Sequence, residues 1–152
     1  MADFVASLFE SRADVLDTLL SATTALIAIA VYMEARRIRR VEWFSKTSKN
    51  WQDFNRLILD TDMSDRWRDI IIGKAPWDAL SQKDMMIIYS FLNVLVFEFN
   101  AKSKGLLASR YAEKSIGDNI KYLKAVWPDL YPHLKSDGWP SDFLHFANRK
   151  IR

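Results

Sequence analysis

Residues 18–33, TLLSATTALIAIAVYM, carry no charge over sixteen positions and are followed at once by Arg36, Arg37, Arg39 and Arg40. An apolar run of this kind must be covered by protein or by lipid, which limits the folds open to the chain more than any other feature. At a rise of about 1.5 Å per residue, sixteen helical residues reach roughly 24 Å, short of a hydrocarbon core about 30 Å thick. Counting from Val15 extends the helix to roughly 28 Å. Asp17 then lies near the outer boundary, where a charge costs far less than at the bilayer centre. Local thinning and snorkelling arginines absorb the remainder. We read residues 15–33 as a transmembrane helix rather than the buried helix of a soluble bundle. The cationic flank is abrupt, and Tyr32 stands where an interfacial aromatic belongs.

Charge asymmetry sets the expected orientation. Residues 1–17 hold Asp3, Glu10, Asp14 and Asp17 against Arg12, whereas residues 34–152 carry an excess of six positive charges. Basic residues beside a span stay in the cytoplasm. The amino terminus is therefore expected outside and the bulk of the chain inside, with a bacterial inner membrane as the expected setting. A cleaved signal peptide fits poorly, because the positive n-region is missing and the arginines follow the apolar run. Arg36, Arg37, Arg39 and Arg40 are the candidate contacts to anionic lipid headgroups. They also account for the basic pI of about 9.2 with fewer assumptions than nucleic-acid binding, which is not expected.

The expected fold class is all-α: an N-terminal transmembrane helix continuing into an amphipathic stem and a small cytoplasmic helical bundle. Residues 1–14 are expected to form an extracytoplasmic amphipathic segment, capped at Asp3 and by a Ser11–Asp14 box. It would either lie in the outer headgroup layer or extend the membrane helix outward, and we favour the former. Residues 34–152 suffice for one domain with its own core. Their tryptophans and scarcity of glycine and proline favour helices. The stem runs unbroken to about Leu59, with Val41, Phe44, Trp51, Phe54 and Ile58 along one side, supported by Glu42–Lys46 and Arg56–Asp60 pairs.

Beyond the stem, residues 60–64 form a turn and Ser64 opens a short helix stopped by Gly73. Ser81 and Asp84 form a capping box for a helix over residues 82–104. Its uncharged run MMIIYSFLNVLVF is thirteen residues long, too short for a second span, and suits the central helix of a bundle. Ser90, Asn93 and Asn100 are expected to hydrogen-bond neighbouring helices, with Glu98 paired to a lysine or arginine. A further helix covers residues 110–127, buries Ala112, Ile116, Ile120, Leu123, Val126 and Trp127, and ends at Pro128. The segment PDLYPHLKSDGWP reads as a loop, and Ser141 opens a last helix with Phe143, Leu144 and Phe146 inward.

Within the span, Ser21, Thr24, Ala25 and Ala28 share one face with Tyr32 at its end, while Leu16, Leu19, Leu26 and Ile27 occupy the other side. Small side chains let helix backbones approach closely, so this face is the candidate packing surface for a membrane-protein partner. Together with the basic stop, the amphipathic stem, Phe97-Glu98 and Lys104-Gly105-Leu106-Leu107, the chain resembles a group of bacterial single-pass membrane-anchored helical domains of unknown function. The likeness covers about residues 22–139, and it implies no activity and no functional residues.

No catalytic motif appears. His133 and His145 lie twelve residues apart and form no histidine pair arranged for a metal, the glycines form no phosphate-binding loop, and G-x-S-x-G is missing. No catalytic residue, metal or cofactor is assigned. The favoured function is a non-enzymatic accessory or scaffold subunit of a membrane protein complex. The alternatives are a self-associating membrane effector that perturbs the bilayer as a homo-oligomer and, behind it, a membrane-tethered enzyme with Glu98 and His145 in a buried site.

Overall fold

The computed structural model describes residues 2–60 and 62–152, with side chains described from residue 14 onward. Every regular element among them is helical. Helix α1 covers Ala2–Asp60, α2 Ser64–Ile71, α3 Gln82–Ser103, α4 Ser109–Ile120, α5 Trp127–Ser136 and α6 Ser141–Ile151. Single 3₁₀ turns occupy Trp77–Ala79 and Lys121–Leu123. The chain divides into two compact units, residues 1–39 and residues 40–152.

The first unit is helical from Ala2 onward. The Asp3 cap, the Ser11–Asp14 box and the apolar face expected on residues 1–14 rest on side chains outside the described residues. From Asp14 through Glu34 every residue is exposed. The side chains of Thr18, Thr23 and Thr24 donate to the carbonyls of Asp14, Leu19 and Leu20, each 2.8 Å away, so their hydroxyls are satisfied within the helix.

The second unit is built around α3, which packs against α2 and α4, while α6 packs on α4 and α5. The sequence starts and stops α3 cleanly. The Ser81 hydroxyl accepts from the Asp84 N–H at 3.2 Å while the Asp84 carboxylate accepts from the Ser81 N–H at 2.7 Å, the expected reciprocal capping box. At the other end Gly105 adopts φ +65°. The Leu106 N–H reaches back to the Ala101 carbonyl at 2.9 Å, closing a Schellman turn. Phe91, Leu92 and Leu95 of α3, Ile116 and Ile120 of α4, and Leu130, Leu134 and Phe143 from the last two helices have almost no exposed surface.

The stem packs on a different stripe from the one its apolar residues suggest. Thr47, Phe54 and Ile58 are buried and Trp43, Asn50 and Trp51 half-buried, a set at positions 43, 47, 50, 51, 54 and 58. Val41 and Phe44 fall outside it and stay 64% and 58% exposed. The side chains of Trp51, Phe54, Trp67 and Phe91 meet with ring centroids 5.1 to 6.1 Å apart. Trp43 stacks on Phe97 at 4.6 Å. Lys46 lies over the Trp43 ring at 6.0 Å instead of pairing with Glu42.

Residues 110–127 are not one helix. The α-helix ends at Ile120, and Trp127 begins a new one through the segment read as a loop. Pro128 sits in its first turn, where a missing N–H costs nothing. Pro132 removes one further bond from inside the helix. Burial of Trp127, Leu130 and Leu134, three and four residues apart, offsets that loss. Gly73 does stop α2, at φ +75°, and a Cβ there would stand 3.0 Å from that of Ala125, so both backbone and packing demand glycine.

Candidate functional site

Two features have chemical consequences: the bare apolar helix of the first unit with its arginines, and a pair of buried carboxyl groups in α3. On the helix, Ser21, Thr24, Ala25, Ala28 and Tyr32 all fall on one face at 100° per residue, and all are exposed. The opposite side is equally bare, with Leu16, Leu19, Leu26 and Ile27 each 58–66% exposed. An 18-residue window of this helix has a mean hydropathy of 1.8 and none of it is buried, so it is long and apolar enough to cross a membrane. The same is true by length of α3, with a mean hydropathy of 1.3, but half of that window is buried inside its own bundle.

Arg36, Arg37, Arg39 and Arg40 are all exposed. Arg37 approaches Glu34 at 3.8 Å, with both side chains in solvent, a contact worth little. Arg36, Arg39 and Arg40 make no ion pair among the described residues, so the charge of the collar remains available to an external anion.

Asp84 and Glu98 are both buried in α3 and are held in opposite ways. Arg66 of α2 donates to Asp84 from Nε at 3.0 Å and from Nη2 at 2.9 Å, and the Ser81 hydroxyl adds a bond of 2.9 Å. The guanidinium holds the Asp84 carboxyl below the usual carboxylate range, against the opposing effect of burial. Arg66 also donates to the Ala79 carbonyl at 3.0 Å, tying α2 to the entry of α3. Among the described residues Glu98 pairs with no lysine or arginine, contrary to expectation. The Trp51 indole N–H donates to Oε1 at 2.7 Å and the Ser115 hydroxyl to Oε2 at 3.0 Å. Burial raises its pKa, and these two neutral donors only partly counter that.

The polar seam expected on α3 is not an interhelical one. Ser90 donates to the Met86 carbonyl within its own helix, and Asn93 and Asn100 face outward. His145 is exposed and has no part in the surroundings of Glu98; His133 is also exposed and stacks on Trp77 at 5.1 Å. Among the described residues no three histidine or acidic side chains are grouped to hold a metal ion. The bond from Trp51 to Glu98 and the pair of Arg66 with Asp84 span 47 and 18 residues, beyond the reach of any local spacing rule.

No family model matches the chain, and neither does any curated protein or solved structure.

Proposed function

We propose that the chain is a single-pass membrane protein in which residues 15–33 cross the bilayer, the amino terminus lies outside, and the helical bundle of residues 40–152 works on the cytoplasmic side. The observation that carries this reading is the complete exposure of residues 14–34. About six consecutive turns of a soluble helix do not leave leucine, isoleucine and valine bare on every side, whereas lipid covers them at no cost. The unpaired arginines directly after the run supply the inward-retention signal. The bacterial inner membrane and the likeness to membrane-anchored helical domains belong to the same proposal.

On this reading the protein serves as a non-enzymatic accessory or scaffold subunit. Residues 40–152 enclose their own aromatic and aliphatic core, and the membrane helix is the part proposed to dock. Its small-residue face, Ser21, Thr24, Ala25 and Ala28, is the proposed contact with a partner helix, because backbones approach most closely where side chains are smallest. Affinity purification of the full chain from a mild detergent should recover a partner membrane protein in stoichiometric amount. The double substitution Ala25→Leu and Ala28→Leu should release it while the chain stays in the membrane fraction. Retention of every partner by that variant would remove the docking surface from the account.

A further inference from the structure

Within residues 40–152 a surface groove of about 490 Å³ runs between Arg40, Val41 and Phe44 of α1 and Leu106, Leu107 and Tyr111 around the start of α4. Val41, Phe44 and Tyr111 are each more than half exposed, so large apolar side chains on both walls stand in water. Cations surround them. Arg40 lines the groove, Lys104 stands over the Trp43 ring at 5.8 Å next to Phe44 in the chain, and Lys114 follows Tyr111 by three residues on the same exposed face of α4. None of these cations makes an ion pair among the described residues. The nearby carboxylates do not offset them. Glu42 is two positions from Phe44, about 200° round the helix and so on the far side of the stem. Glu113 is held by Lys102, and Asp118, two turns beyond Tyr111, lies beside Lys121 at 3.6 Å.

We infer that this groove docks an acidic amphipathic helix of another protein, with apolar side chains on Val41, Phe44, Leu106 and Tyr111 and carboxylates toward Arg40, Lys104 and Lys114. Every residue used lies in the second compact unit, so the inference stands apart from the membrane reading and adds a surface to the one proposed on residues 21–28. Charge complementarity selects the occupant. A second copy of the chain meeting it groove to groove would set these cations against their own kind, which opposes binding. A small soluble anion would answer the charge and leave the apolar walls wet. The walls also select the form. The α1 and α4 backbones bond within their own helices, so an extended peptide finds few main-chain partners along them. A helix arrives with its own bonds made and presents apolar side chains three and four residues apart, at the spacing a groove between helices accepts.

The test uses the full chain in a neutral maltoside detergent and three fluorescent synthetic peptides of about five helical turns. One carries a leucine stripe flanked by glutamates, the second has lysine for every glutamate, and the third scrambles the first so that the stripe is lost. Fluorescence anisotropy, corrected for binding to empty micelles, should show the acidic amphipathic peptide bound at least about tenfold more tightly than either of the others. Raising the salt concentration should narrow its lead over the lysine peptide. Lys104→Glu with Lys114→Glu should erase that lead. Phe44→Ser and Tyr111→Ser, both at exposed positions, should each weaken the acidic peptide about tenfold or more while leaving the near-UV spectrum of the tryptophans unchanged. Equal binding of the glutamate and lysine peptides would overturn the proposal, as would full binding of the scramble or indifference to both serine substitutions. A diazirine-bearing phosphatidylglycerol that crosslinks to residues 106–111 and displaces the acidic peptide would give the groove to lipid and overturn it too.

Discussion

The apolar runs of α1 and α3 are alike in composition and opposite in fate. Residues 18–33 and residues 85–97 are each free of charge, and both helices are long and apolar enough to cross a bilayer. In α3 the run is enclosed by α2 and α4 from the same chain, and Phe91, Leu92 and Leu95 are almost wholly hidden. In α1 none of the run is buried. Hydropathy therefore states only that water must be excluded, and the neighbours decide what excludes it. The polar content agrees. Buried α3 carries two carboxyl groups, each supplied with donors by other elements, which lipid could not provide. In the bare run of α1 the hydroxyls of Thr18, Thr23 and Thr24 bond within their own helix.

The largest expected effect contrasts matched leucines. Leu95→Ala removes a fully buried side chain and should cost the bundle about 2–5 kcal/mol. Leu26→Ala, at a position 66% exposed, should change bundle stability by less than about 0.5 kcal/mol. All six tryptophans lie beyond residue 40, so their near-UV signal in detergent reports unfolding of the bundle alone. Equal losses from the two substitutions would show that α1 packs as a core helix does.

The carboxyl groups of α3 sharpen the comparison through pH. For Asp84 the folded state holds the pKa down, so the unfolded chain binds more protons in the intervening range. Its contribution is present above the ordinary carboxylate range and is lost as pH falls through it toward the folded value. Glu98 has the opposite sign. Its folded pKa is raised, so stability declines as pH rises from the ordinary carboxylate range through the folded value, and levels off above. Denaturant titrations of Glu98→Gln should therefore lack the decline seen in the parent across that window. Asp84→Asn should flatten the acid side, at a general cost of about 1.5–3 kcal/mol from the lost charged bonds to Arg66 and Ser81. A Glu98→Gln profile parallel to the parent would mean that Glu98 is not held as described.

The smallest effect lies where the two helices end. Both are followed by a residue of positive φ, Gly105 after α3 and Asp62 after α1, whose φ of +53° is in the left-handed region that favours glycine. The Met63 N–H reaches the Ile58 carbonyl at 3.0 Å across that turn. Asp62→Gly should raise the stability of the bundle by up to about 1 kcal/mol, the relief of left-handed strain less the entropy that glycine adds to the unfolded chain. A loss would show that the Asp62 side chain contributes more than its backbone costs.

Much of this was legible in the sequence where one local rule acts. Ser81 with Asp84, Gly73, Gly105 and the alternation of Ala112, Ile116 and Ile120 each announce an element without help from distant residues. The failures share a different cause. Pro128 reads equally as the end of one helix or the first turn of the next, and only the burial of Leu130 and Leu134 selects the second. Val41 and Phe44 look like core residues by type, yet the stem is rotated so that Trp43 stacks on Phe97 of α3 and Thr47 is buried. The neutral partners of Glu98 come from α1 and α4, and no spacing within α3 points to them.

The chain has no cysteine, so one introduced thiol is a unique probe of the central claim. Full-length Leu26→Cys and Leu59→Cys, at positions similarly exposed in the structure, are to be compared in native membranes with a water-borne maleimide. The account predicts that the thiol at 59 reacts fully and the thiol at 26 reacts only after detergent is added. Equal reaction of both without detergent would place the apolar run in water and contradict the membrane span.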